Sequence, residues 1–107
     1  MYLIGYNNGI GKEINATNHF NKWLKGLQDI VVKRKVLARL DCLKNGNFGD
    51  FKRIDNNLFE LRFFFGSGLR IYYTIRSKQV ILLLVGGDKS SQSKDIKHAK
   101  QILDELE

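Results

Sequence analysis

Proline is absent from this chain, and cysteine, methionine and tryptophan occur once each. The lone Cys42 excludes an internal disulfide and any multi-cysteine metal motif. No grouping of histidines and carboxylates has metal-ligand spacing either. Acidic residues are few, 11 against 18 lysines and arginines, which leaves a net charge of +7. That balance suits polyanions: nucleic acid, an anionic membrane surface or an acidic protein. Long apolar runs are also missing. None approaches the ~20 residues of a membrane span, and Met1–Ile10 is broken by glycines and asparagines, so it offers no signal-peptide core. These absences predict a cytoplasmic protein without a metal, another cofactor or a membrane partner. No repeat, low-complexity tract or linker divides the chain, so residues 1–107 are read as one domain. It is long enough to bury a core without staples.

Hydrophobic periodicity supplies the elements. Lys12–Ala16 is read as a first strand, with Met1–Tyr6 as a competing candidate and residues 1–11 as an N-terminal extension. Thr17 or Asn18 caps a helix in which Phe20, Trp23, Leu24 and Leu27 form one stripe. A second helix over Asp29–Lys44 turns Val32, Val36, Leu37, Leu40 and Leu43 inward and Lys33, Arg34, Lys35 and Arg39 outward, then stops at Asn45-Gly46. The period then changes to 2. Strands are predicted at Phe51–Asp55, Leu58–Phe65, Leu69–Arg76 and Val80–Val85, with turns at Asn56-Asn57, Gly66-Ser67-Gly68 and Ser77–Gln79. The last strand lacks a polar side and belongs in the middle of the sheet. A final helix begins near Ser91–Ser93, with Ile96, Ala99, Leu103 and Leu106 inward. The order β-α-α-β-β-β-β-α predicts an α+β domain. Its antiparallel sheet would carry a helical hairpin on one face and leave a basic face open.

That second face carries the candidate chemistry. Alternation puts Phe59, Leu61, Phe63, Leu69, Ile71 and Tyr73 on the core side, and Glu60, Arg62, Phe64, Arg70, Tyr72 and Arg76 opposite. Paired guanidinium groups bind phosphate in a fixed fork and keep their charge. On a rigid hairpin, Arg62 and Arg70 suit a phosphodiester; the plainer reading is an exposed strand paired with Glu60 and Asp55. Tyr72 offers a ring for stacking and a hydroxyl for proton transfer if the arginines lower its pKa, or merely cross-strand packing. Phe64 is a base platform or partner contact. Lys52 adds charge to the groove. The string Gly86-Gly87-Asp88-Lys89-Ser90-Ser91 lacks P-loop spacing, yet Lys89 at a helix start suggests an anion site. His98, close to Lys94 and Lys97, donates a proton only if its helix packs beside the basic face. His19 is expected in solvent and not paired with His98, and Cys42 is expected to be a buried thiol.

Phe20-Asn21-Lys22-Trp23-Leu24, Asn47-Phe48-Gly49-Asp50-Phe51-Lys52, Phe59-Glu60-Leu61-Arg62, Gly68-Leu69-Arg70-Ile71-Tyr72-Tyr73 and Leu84-Val85-Gly86-Gly87-Asp88-Lys89-Ser90-Ser91, in this order, resemble the RelE/ParE toxin superfamily. The resemblance is strongest to its HigB-like, phage Gp49-like addiction-module branch and runs from about Lys12 onward. It implies a sheet with the first strand beside the last, and a type II toxin acting as an mRNA endoribonuclease, on the ribosome or on free RNA. It assigns Arg62, Arg70, Tyr72 and Lys89 to catalysis, and leaves Lys52, Phe64, Arg76, Lys94 and His98 for RNA contact. The implied partner is a small helix-turn-helix antitoxin. ParE-like members instead inhibit DNA gyrase, and a basic module that only binds RNA is a further alternative.

Overall fold

The computed structural model describes residues 2–3, 13–77 and 80–106. Its elements are β1 (Tyr2–Leu3), β2 (Glu13–Ala16), α1 (Asn18–Gly26), α2 (Ile30–Lys44), β3 (Phe51–Asp55), β4 (Leu58–Arg62), β5 (Arg70–Arg76), β6 (Val80–Gly87), a short 3-10 turn (Lys89–Ser91) and α3 (Gln92–Leu106). The strands lie in the order β1-β2-β6-β5-β4-β3. The competing candidate within Met1–Tyr6 also holds a strand: the two-residue β1 pairs with β2, Tyr2 opposite Ala16, so part of the supposed extension joins the sheet. Lys12 and the rest of residues 4–12 lie outside the described residues, as do 78 and 79 of the last predicted turn.

The sheet is mixed and not antiparallel. β2 runs parallel to β6, with Ile14 opposite Ile81, while the other neighbours are antiparallel. A parallel pair needs a long connection, and everything from α1 to β5 supplies it. Periodicity reports which residues share a face, not which way a strand runs. β6 is central as expected, its aliphatic side chains buried on both faces.

The helices occupy both faces, which corrects the expectation of one open face. On one side, Phe20 and Leu24 of α1 and Val36, Leu40 and Leu43 of α2 pack with Leu61, Phe63, Leu69, Ile71, Tyr73 and Leu83. On the other, Ala99, Ile102 and Leu103 of α3 cover Leu58, Tyr72, Leu82, Leu84 and Val85. An extra residue in β6 opposite the Tyr72–Tyr73 step lets both Leu84 and Val85 face α3. Two helix positions differ from the predicted stripes. Leu37 and Leu106 are exposed, whereas Ile102 is buried in place of Leu106.

Local chemistry explains the boundaries. The Thr17 hydroxyl accepts from Phe20 N at 3.1 Å and donates to Leu84 O at 2.7 Å, so the cap of α1 is also tied to β6. Asp29 caps α2 by accepting from Val31 N and Val32 N. Arg39, expected on the outer face, instead turns inward and donates to Arg62 O (2.7 Å), Asp50 O (2.8 Å) and Phe48 O (3.2 Å). Gly86 and Gly87 have a packing reason: a Cβ on the first would strike the Trp23 ring, and one on the second the Asp95 carboxylate. Among the described residues, no helix is long and apolar enough to cross a membrane.

Candidate phosphate-binding site

β4 and β5 place Arg62 directly opposite Arg70, on the side of the sheet that α3 covers. The two guanidinium groups are held differently. Arg62 Nη2 lies 3.2 Å from Asp50 Oδ1, in a partly exposed ion pair. Arg70 is more enclosed, with 15% of its side chain exposed. Its Nη1 donates to Gly68 O at 2.9 Å, and its Nε lies 3.5 Å from Glu60 Oε2. Glu60 is 1% exposed, so its charge depends on partners to be tolerated there. Gln92, the first residue of α3, donates to the same Oε2 at 2.8 Å. The helix that covers this face thus fixes the carboxylate that steadies Arg70.

Lys89 reaches the same corner from the far side of β6. Its backbone N–H donates to Ser67 O at 3.4 Å. Gly68, at φ +75°, leaves the space between: a Cβ there would lie 3.4 Å from both Arg70 Nη1 and Lys89 Cβ. The backbone and Cβ of Lys89 therefore lie at the β4–β5 loop beside Arg70, with Arg62 across from Arg70 in register. The proposed helix-start anion site beside Lys89 does not hold up. Asp88 Oδ1 accepts from Ser90 N and Ser90 Oγ, so a carboxylate already occupies that end, and the Ser90 hydroxyl holds it below the usual aspartate range.

Tyr72 is corrected on both counts. The ring is buried under α3, so no base can stack on it. Its hydroxyl makes no hydrogen bond of good geometry. Burial, and then the neighbouring Glu60 carboxylate, push its pKa well above 10, and Arg70 offsets only part of this. Both causes favour the neutral phenol over the phenolate.

Other candidates are scattered. Lys52 is exposed on β3, opposite Glu60 in register. Arg76 is exposed at the far end of β5, roughly 20 Å of strand from Arg70. Lys94 is exposed on α3. His98 lies six residues along α3 from Gln92, about 9 Å of helix rise. Its ring rests edge-on against His19, centroids 4.6 Å apart, so the histidines do pair. Phe64 does not share the arginine face. β4 ends at Arg62, the alternation stops there, and Phe64 lines a groove beside α2. Cys42 is exposed in the same groove.

Of the two acidic partners that the pattern offers the arginines, Glu60 pairs with Arg70, whereas Asp55 faces Lys100 and Asp50 takes its place beside Arg62. Asp50, Arg39 and Gln92 were missed. Glu60 and Arg70 sharing a face was the available signal; the others are contacts between distant segments that no local pattern encodes. Among the described residues, no group of three or more metal-ligating side chains comes together.

The family model for "Phage derived protein Gp49-like (DUF891)" matches residues 22–106. An uncharacterized protein of Haemophilus influenzae is 44% identical over 94 residues, covering 88% of this chain and 95% of its own length.

Proposed function

This chain belongs to the phage-derived Gp49-like family, and from that membership we propose that it is the toxin of a type II toxin–antitoxin pair which cleaves mRNA. The observation that carries the reading is the Arg62–Arg70 cross-strand pair with Lys89 at the same corner. The resemblance of these segments to RelE/ParE toxins points the same way.

In this reading the non-bridging oxygens of one RNA phosphate sit between Arg62 and Arg70, whose free N–H groups neutralise them. The ribose 2′-oxygen attacks that phosphorus, its proton passing to solvent. Negative charge builds on the phosphorane, where fixed cations lower the barrier. The bond from phosphorus to the 5′-oxygen then breaks, leaving a 2′,3′-cyclic phosphate and a 5′-hydroxyl that takes a proton from solvent or Lys89. Glu60 and Gln92 hold Arg70 in place, and Tyr72 takes no part in proton transfer.

The test is induction of the chain in bacteria, with end-mapping of cut mRNA. Arg70→Ala would strand the buried Glu60 charge, so Arg70→Lys combined with Arg62→Ala is the better variant. It keeps a cation beside Glu60 but loses the bidentate fork. Growth arrest and cyclic-phosphate ends are expected from the parent, and loss of ~100-fold or more in cutting from the folded variant. Intact RNA together with trapped gyrase–DNA complexes would overturn the nuclease reading.

A further inference from the structure

Next to the arginine corner, on the opposite side of the same strand end, lies a second surface that the cleavage reading does not use. Val31, Lys35, Ala38 and Cys42 fall at i, i+4, i+7 and i+11 on α2 and so form one stripe. Phe63, Phe64 and Phe65 face its C-terminal part across a groove of about 350 Å³. Phe64, which lines the groove, is 82% exposed, and Val31, one turn before Lys35 on the same stripe, is 55% exposed. The rims are cationic. Lys35 Nζ sits 4.6 Å from the Phe65 ring centroid, and the Arg39 guanidinium carbon 4.9 Å from that of Phe63.

We propose that this groove is the docking site for an acidic, amphipathic segment of a partner protein, apolar residues on the phenylalanine floor and carboxylates on Lys35 and Arg39. Charge selects this occupant. A second copy of the chain would bring +7 against +7. An aromatic floor with a lysine and an arginine on its rims fits a helix with an apolar seam and acidic flanks. That the partner is an antitoxin rests on the function proposed above; the docking chemistry does not.

The site also has a route to the arginine pair. Arg39, which forms a rim of the groove, bonds the carbonyls of Arg62 and Asp50, and Asp50 holds the Arg62 guanidinium. A partner carboxylate that engages Arg39 therefore acts on the backbone that presents Arg62.

Random peptides about four helical turns long, displayed on phage, are selected on the immobilised full chain. Phe64→Asp and Ala38→Arg serve as counter-targets. Both positions are exposed, and each variant is first shown to melt like the parent. The selected peptides should be net negative with apolar residues three and four apart. They should slow iodoacetamide alkylation of Cys42 about tenfold when near-saturating, and bind either variant ~30-fold more weakly, as loss of a central aromatic anchor does. Peptides that bind both variants as tightly as the parent, basic peptides, or no enrichment at all would overturn the proposal. So would protection of Cys42 by the chain's own self-association or by single-stranded RNA. Alkylation is read without any cleavage, so a chain that selects acidic peptides yet leaves RNA intact would sink the nuclease reading alone.

Discussion

At Tyr72 an apolar layer and a buried carboxylate both disfavour the phenolate, and Tyr73, deep in the other core, is raised by burial as well. Because the folded-state pKa values lie above the unfolded value of 10.0, the folded chain binds protons more tightly than the unfolded one at high pH. The contribution is complete below about pH 10 and is lost as pH rises beyond it. Tyr72→Phe should remove part of this alkaline loss and shift stability at neutral pH by no more than about 1 kcal/mol, since the hydroxyl has no partner to lose. Urea unfolding at neutral and alkaline pH checks it, and cleavage by this variant should match the parent. Gly86→Ala tests a different residue-level demand. With the Trp23 ring pressed against the glycine, the added methyl should cost about 2–3 kcal/mol in a thermal melt. The arginine pair was legible because side-chain alternation needs only the neighbouring residues. The enclosure of Tyr72 was not, because it depends on a helix some twenty or more residues further along.

Between elements, Arg39 ties α2 to the end of β4 through the Arg62 carbonyl and to the loop before β3 through those of Phe48 and Asp50. Arg39→Ala should lose about 3 kcal/mol of stability, because charged hydrogen bonds are removed and buried acceptors are left unpaired. Arg39→Lys should recover less than half, as a point-like ammonium cannot span the three acceptors. Paired denaturation curves of the two variants measure this. At this scale the helices and the four C-terminal strands were readable from period and caps: Thr17, Asp29 and Asn45-Gly46 each mark a boundary where it was expected. Strand direction in β2 was not, nor was the choice of face for α3. An amphipathic stripe states that a helix is covered, without naming the layer that covers it. The inward turn of Arg39 was hidden for the same reason: a basic residue on a basic helix reads as solvated until its acceptors are known.

Over the whole molecule, the net charge of +7 predicts how RNA affinity responds to salt. Each phosphate neutralised on a single strand contributes about −0.7 to the slope of log K against log salt. Because Arg62 and Arg70 share one phosphate, that site should contribute about −0.7, and the Arg70→Lys, Arg62→Ala double variant should flatten the slope by no more than about 0.7. Titrations of a non-cleavable 2′-deoxy oligonucleotide across a salt series give both numbers. The parallel seating of β2 on β6, Ile14 against Ile81, has a consequence for the order of assembly. The β4–β5 hairpin that carries both arginines is local and closes cheaply, whereas β2 must wait for a strand 67 residues away, and late-closing contacts are the slow step in folding. The Glu60–Gln92 hydrogen bond forms only once α3 has docked. A nascent chain would thus pair Arg70 with Glu60 and Gly68 inside one early hairpin, and Gln92 would fix that carboxylate only when the last helix docks.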